Sequence, residues 1–124
     1  MKYSNLTFAV FISACATYSA AQQIPVRDEF FWLGQMNKAS LVINTQEGLL
    51  DKSMTPRIGA GIATVLKEGS QPGAKRPSSV ITFEPLLIAA AGPQVTLLHA
   101  GRSSQDIHAT YRAAILRDDM LDLA

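Results

Sequence analysis

Apolar residues recur at steps of three and four along most of the chain, which is the spacing of one face of an α-helix. After a linker that contains Pro25, Asp28 can cap a helix that runs to about Glu47. Its apolar stripe consists of Trp32, Met36, Ala39, Ile43 and Leu50. We expect this stripe to face the core of the domain.

A second helix is predicted from Thr55 to Gly69, with Thr55 as its N-cap. Pro56 then takes the first helical position, where its missing N–H has no intrahelical partner to lose. The expected buried face consists of Ile58, Ile62, Val65 and Leu66. Gly59 and Gly61 are costly inside a helix, so they predict either a closely packed neighbouring backbone or fraying at this end.

Turn-forming residues from Gly69 to Pro77 predict a surface loop before the third helix. That helix is expected to start at Thr82 or Glu84, to carry Pro85 in its first turn, and to stop at Ala91 before a Gly-Pro pair. Residues 94–98 fit either a short strand or a connector.

A last helix is predicted to start near Ser103 and to run to the C-terminus. Its helically spaced apolar residues are Ile107, Tyr111, Ala114 and Leu121. The chain has no two-residue alternation long enough for a sheet and no fixed-period repeat, so we predict an all-α fold. The segment before Ala124 is still rich in helix formers, which predicts a truncated chain.

The first 21 residues have the order of a secretory signal peptide. Lys2 precedes a mainly apolar run that is about half the roughly 20 residues needed to cross a bilayer, and Ser19-Ala20-Ala21 favours cleavage before Gln22. Two alternatives stay open, namely a buried N-terminal helix and a lipoprotein signal that would place a lipid anchor on Cys15. We therefore expect an exported chain, periplasmic or secreted, with a helical domain over residues 22–124.

Composition limits the range of functions. With 48% hydrophobic and 17% charged residues in 124, the chain can bury one core. Its formal net charge of +1 comes from mixed acidic and basic residues, so nucleic-acid binding is not indicated. His99, His108 and Cys15 do not have zinc-ligand spacing, and no metal or other cofactor is predicted. We expect His108 on a solvated helix face.

The most informative segment runs from His99 to Asp106 and leads into the last helix; we call it the signature segment. A helix N-terminus carries free N–H groups and attracts carboxylates or phosphates. Arg102 adds a guanidinium, and neighbouring serine and glutamine side chains add donors. Ser103 and Asp106 also fit a capping box, which needs no ligand, and the pattern alone favours that interpretation. His99 alone fits a partly buried histidine whose ring is satisfied by neighbours.

The signature segment resembles the first conserved region of argininosuccinate lyases, which has the order His-Thr-Gly-Arg-Ser-Arg-Asn-Asp followed by Ala-Thr and Arg. The matching residues are Leu98-His99-Ala100-Gly101-Arg102-Ser103-Ser104-Gln105-Asp106, then Ala109-Thr110 and Arg112. The upstream order is similar as well, with Asn37-Lys38-Ala39-Ser40 in the first helix, Pro56 to Leu66 in the second, and Glu84 to Gly92-Pro93 before the signature segment. The resemblance covers roughly Asp28 to the end of the chain.

This resemblance implies the N-terminal helical domain of the fumarase and aspartase superfamily, ending before the central helix bundle. Its members cleave a C–N or C–O bond by β-elimination and release fumarate, and argininosuccinate would yield arginine and fumarate. The substrate is then a small dicarboxylate, and the expected binding residues are Asn37, His99, Arg102, Ser103, Ser104 and Gln105. Ser103 and Gln105 match the family's serine and asparagine.

The sequence also departs from that family. Ser104 stands where argininosuccinate lyases have arginine, and Ser-Gln-Asp at this point also resembles carboxymuconate cycloisomerases of the same superfamily. The family's histidine acid region and mobile Gly-Ser-Ser loop have no counterpart in the 124 residues, so we expect the chain alone to be inactive. The resemblance further implies a homotetramer in the full-length form and a cytoplasmic family default. Alternatives are an exported dicarboxylate-binding protein without catalysis and a decayed gene product.

Overall fold

The computed structural model describes residues 26–123, and the predicted signal peptide and Cys15 lie outside this range. The described chain forms α1 (Glu29–Gln46), α2 (Thr55–Gly69), α3 (Val80–Ala91), a 3-10 helix (Pro93–His99) and α4 (Ser104–Asp122). It contains no strand within residues 26–123, which confirms the all-α prediction. Among these helices, none combines the length and the apolar character needed to span a membrane.

Helix α1 begins where predicted, because the Asp28 carboxylate accepts a hydrogen bond of 3.0 Å from the Phe31 backbone N–H. The predicted core face is wrong at Ala39 and Ile43, which are exposed. The buried face of α1 consists of Phe30, Leu33, Gly34, Asn37, Ser40, Leu41 and Asn44. Three of these residues are polar, so hydrophobic spacing alone did not identify the centre of this face.

Helix α2 has the predicted limits and its predicted apolar face, with Ile58, Ile62 and Val65 buried. The N-cap is Met54 rather than Thr55, which is the first helical residue. The Thr55 hydroxyl lies 3.0 Å from that of Thr45 at the end of α1, so it joins two helices instead of capping one.

Helix α3 starts earlier than predicted, because Ser79 is its N-cap and the helix begins at Val80. Pro85 therefore lies in the second turn, where its missing N–H removes one hydrogen bond of the helix. The predicted end at Ala91 is confirmed. Gly92 follows with a φ of +89°, a conformation that side-chain-bearing residues rarely adopt.

The strand considered for residues 94–98 does not form, and a 3-10 helix occupies this place. Val95 and Leu98 are buried at a spacing of three residues, which is one turn of that helix. The Thr96 hydroxyl donates a hydrogen bond of 3.0 Å to the Pro93 carbonyl in the first turn of this helix. The 3-10 helix carries the chain from the end of α3 to the start of α4.

The core lies where α1, α2, α3 and the 3-10 helix meet, and α4 packs on it with its first half. Phe83, Leu33 and Leu98 are fully buried at its centre. Ile107 and Tyr111 of α4 are buried as expected, but Leu121 is exposed. The expected solvated position of His108 is wrong, because its Nε2 is buried and its ring packs 5.4 Å from that of Tyr111.

Candidate functional site

The signature segment forms the turn between the 3-10 helix and α4. The Arg102 N–H donates to the His99 carbonyl over 3.0 Å, and Gly101 has a φ of +75°. A Cβ on Gly101 would meet no atom within 4 Å, so backbone conformation rather than space explains this glycine. The turn directs the chain into the first turn of α4.

Ser103 caps α4 through a complete capping box. Its hydroxyl accepts from the Asp106 N–H at 3.2 Å, and the Asp106 carboxylate accepts from both the Ser103 N–H and its hydroxyl at 2.8 Å. The hydrogen bonds from the Ser103 backbone and side chain lower the pKa of Asp106. The Ser103 hydroxyl is thus engaged within its own turn, as the pattern alone predicted.

Ser104 and Gln105 are exposed in the first turn of α4. Within residues 26–123, neither side chain makes a hydrogen bond. Their donors lie at the positive end of the helix dipole, where a carboxylate is stabilised. The side chains of Ser104 and Gln105 thus face solvent, whereas the Ser103 hydroxyl is engaged in the capping box.

Arg102 is joined to helix α1. Its Nη2 donates to the Ser40 hydroxyl and, more weakly, to the Leu98 carbonyl at 3.4 Å. Arg102 as a whole remains exposed. One side of the guanidinium is therefore fixed to the protein, which orients its remaining donors without burying the charge.

His99 lies between two other elements. Its Nε2 is 3.1 Å from Oδ1 of Asn37 in α1, and its Nδ1 is 3.6 Å from Oε1 of Glu84 in α3. Burial lowers the pKa of His99, the Glu84 charge opposes this change, and the Arg102 charge adds to it. The ring is largely covered, with 13% of the side chain exposed.

A polar stripe on α1 contacts the end of the 3-10 helix and the turn that follows it. Asn37 contacts His99, Ser40 contacts Arg102, and Asn44 donates to the Leu97 carbonyl over 2.8 Å. Asn37, Ser40 and Asn44 recur at steps of three and four, so they share one helix face. Sequence reasoning named Asn37 but missed the roles of Ser40, Asn44 and Glu84. The helical spacing of polar residues in α1 was the available signal.

Residues 100–106 of the signature segment are exposed, whereas His99 is largely covered. One groove lies where Val26 to Asp28 approaches the C-terminal half of α4, and another lies between α1 and the loop after α2. Neither groove is lined by a residue of the signature segment. Within residues 26–123 no group of three or more histidine, cysteine or carboxylate residues is placed to hold a metal ion.

Of the predicted binding residues, Asn37 and His99 contact each other, and Arg102 to Gln105 follow in one continuous turn. Comparison with family models, with curated proteins and with solved structures found no match to this chain.

Proposed function

We propose that the chain is the N-terminal region of a lyase of the argininosuccinate lyase and fumarase superfamily. In this proposal the complete enzyme carries out β-elimination with release of fumarate, with argininosuccinate as the first substrate to test. The described residues supply one arm of the substrate site, at the turn from Gly101 to Gln105. The reaction class rests on the resemblance of the signature segment.

One observation carries the proposal. Two of the segments that resemble argininosuccinate lyases, residues 37–40 and residues 98–106, are joined by two hydrogen bonds, each between residues 62 positions apart. His99 pairs with Asn37, and Arg102 pairs with Ser40. This supports a common site because both pairs orient side chains of the turn that precedes α4.

The chemistry of the turn suits a carboxylate. The N-terminus of α4 offers partial positive charge, which the Asp106 carboxylate of the capping box partly offsets. Arg102 offers a full charge, and Ser104 and Gln105 offer neutral donors. Preorganised donors of this kind can stabilise the negative charge that develops when a proton next to a carboxylate is removed. Because Ser103 is engaged in the capping box, we assign the ligand contact to its two neighbours and not to Ser103.

The exposure of the turn from Gly101 to Gln105 fits a binding site that other residues must complete. A dicarboxylate bound to the described residues alone would stay largely in water, where charged contacts are screened. The resemblance implies that neighbouring subunits complete each site. We therefore expect weak binding and no turnover by the 124-residue chain.

Binding can be tested by calorimetry with succinate. We expect millimolar affinity for the unaltered chain and a loss of about tenfold in the double variant S104A/Q105A, since two hydrogen bonds to a charged ligand are removed. The control is Q46A/S78A, which removes an exposed glutamine at the end of α1 and an exposed serine before α3. Equal affinity in both double variants would refute the assigned site.

The reaction class is tested by the DNA beyond the codon for Ala124. An open frame that continues into a Gly-Ser-Ser loop would support the lyase, and argininosuccinate should then be cleaved by the product of that frame. A stop codon with no related sequence beyond it in any frame would count against it.

Dicarboxylate binding without catalysis is the second candidate. Its chemical basis is the set of donors that the exposed side chains of Arg102, Ser104 and Gln105 offer within this chain. Succinate binding by a full gene product that never releases fumarate would select this candidate. A decayed gene product would instead bind nothing and would lack a cooperative thermal transition.

A further inference from the structure

The orientation of the Asn37 side chain determines which nitrogen of His99 carries hydrogen. Asn37 is 1% exposed, and its amide Nδ2 donates to the Leu33 carbonyl over 2.8 Å. The opposite amide orientation would place Oδ1 of Asn37 against the Leu33 carbonyl oxygen. Both oxygens are acceptors, so no hydrogen bond could form. Oδ1 therefore faces the ring and accepts, so Nε2 of His99 is the protonated nitrogen.

The second ring nitrogen faces a carboxylate. In the neutral ring Nδ1 has a lone pair and lies 3.6 Å from Oε1 of Glu84. A proton taken up from solvent must bind at Nδ1, because Nε2 already carries one. The new N–H then points towards Glu84, so the histidine and glutamate become an ion pair.

The charged groups acting on the ring within the described residues are Glu84 from α3 and Arg102 from the turn before α4. Helix α1 contributes the neutral amide of Asn37. Above the pKa of His99 the histidine–glutamate pair carries one net negative charge, and below it the pair is neutral. This change takes place beside Arg102, the cation of the proposed binding turn.

We propose that Asn37, His99 and Glu84 form a pH-sensitive positioning unit, in which proton uptake at Nδ1 controls how strongly the turn from Gly101 to Gln105 attracts a dicarboxylate. Asn37 fixes the tautomer and Glu84 receives the new N–H. Glu84 acts through His99 and need not touch the ligand. The part concerning the dicarboxylate rests on the proposed function, whereas the tautomer and the site of protonation do not.

Long-range proton–nitrogen NMR spectra of the 124-residue chain test the unit without any ligand. We expect the neutral ring of His99 to show hydrogen on Nε2, and we expect its pKa to fall in E84Q because the nearby negative charge is removed. The matched control E68Q changes an exposed glutamate of α2 and should leave that pKa unchanged. An H108Q variant assigns the two histidine signals.

Calorimetry with succinate over a range of pH tests the control of binding. Because succinate itself takes up protons in acidic solution, affinity is calculated for the succinate dianion. That affinity should rise about threefold as the pH falls through the pKa of His99, which is roughly the effect of one unit charge near a solvated ligand. In E84Q the midpoint should move to lower pH, and binding above the midpoint should tighten. This gain separates the variant from one that merely folds poorly.

The outcomes are distinguishable. Hydrogen on Nδ1 in the neutral ring, or an unchanged pKa of His99 in E84Q, would overturn the positioning unit whatever succinate does. An affinity for the succinate dianion that is independent of pH would overturn the control of binding alone. Absence of succinate binding at every pH would refute the proposed carboxylate site together with its control, while the NMR result would still decide the tautomer.

Discussion

Asp28 joins three parts of the structure through one carboxylate. It accepts the N-cap hydrogen bond of α1, and Arg76 of the loop before α3 donates to it through Nε and Nη2, both at 2.6 Å. The same guanidinium donates to the Gly69 carbonyl at the end of α2 over 3.0 Å and lies 4.5 Å from the ring centroid of Phe30. Such a bidentate pair is stronger than a single exposed ion pair.

Substitution of Asp28 should separate its two functions. The amide introduced by D28N can still cap α1 but has no charge, whereas D28A removes both the cap and the charge. We therefore expect D28A to be less stable than D28N by about 1 kcal/mol. Urea unfolding at neutral pH measures the difference. The control E29Q alters the next carboxylate in the chain. If E29Q lowered the free energy of unfolding as much as D28A does, the special role of Asp28 would be contradicted.

The contribution of Asp28 should also depend on pH. Burial raises the pKa of this carboxyl, but the hydrogen bonds from Arg76 and Phe31 and the Arg76 charge outweigh burial and lower the pKa below its usual 3.8. The stabilisation is therefore fully present above that value and is lost as the pH falls through the lower pKa of the folded state. The stability difference between the unaltered chain and D28N should shrink in the same acidic range.

At the scale of elements, the sequence predicted the ends of helices well where local chemistry sets them. Asp28 caps α1, Ser103 forms the capping box of α4, and Gly92 ends α3 with a positive φ. Each of these features depends only on residues a few positions away. The start of α3 was missed because Ser79 caps a helix that tolerates Pro85 in its second turn. Tertiary packing can offset the lost hydrogen bond of such a proline.

The buried face of α1 was not predictable from hydrophobic spacing, because its central positions are polar. Asn37 and Asn44 are buried because each donates to a backbone carbonyl, and the partners of Asn44 belong to a segment more than 50 positions away. No local rule reveals such a partner. For the same reason the turn of the candidate site was predictable from its sequence, but the contact of His99 with Glu84 was not.

Two glycines of α2 give a matched test of helix packing. A Cβ on Gly61 would lie 2.5 Å from the Cβ of Ala91 in α3, whereas a Cβ on Gly59 would lie 3.5 Å from the nearest atom, in Leu41. The closely packed neighbour predicted from sequence is therefore present at Gly61. At Gly59 an added Cβ would make an ordinary van der Waals contact with Leu41. Gly59 lies within α2, which begins at Thr55.

We expect G61A to destabilise the protein by about 1–3 kcal/mol through overpacking against α3. G59A should stabilise it by up to about 1 kcal/mol, because alanine is the better helix former. Thermal and urea unfolding measure both variants. A stabilising G61A would show that α2 and α3 separate easily, and a destabilising G59A would show that packing at Leu41 is tighter than the structure indicates.

At the scale of the whole molecule, the first half of α4 packs on the core and the second half presents apolar side chains to solvent. Leu116 and Met120 of α4 and Leu123, its C-cap, are 61%, 64% and 88% exposed and recur at helical spacing. Exposed apolar stripes of this kind mark surfaces that contact another chain. The tetramer implied by the resemblance, which stays a prediction, would place such a surface in a subunit contact.

We therefore expect the 124-residue chain to self-associate through α4, since burial of three large apolar side chains on each copy favours association. Sedimentation velocity over a concentration series should show the average mass rising with concentration. The double variant L116E/M120E should shift this rise to concentrations at least about tenfold higher, because burial of unpaired carboxylates opposes contact. The control I81E places a charge on α3 at a residue that is 71% exposed, and it should leave association unchanged. A chain that stays monomeric at every concentration would exclude α4 as the contact, and so would equal effects of L116E/M120E and I81E. A different surface would then have to complete the exposed turn from Gly101 to Gln105.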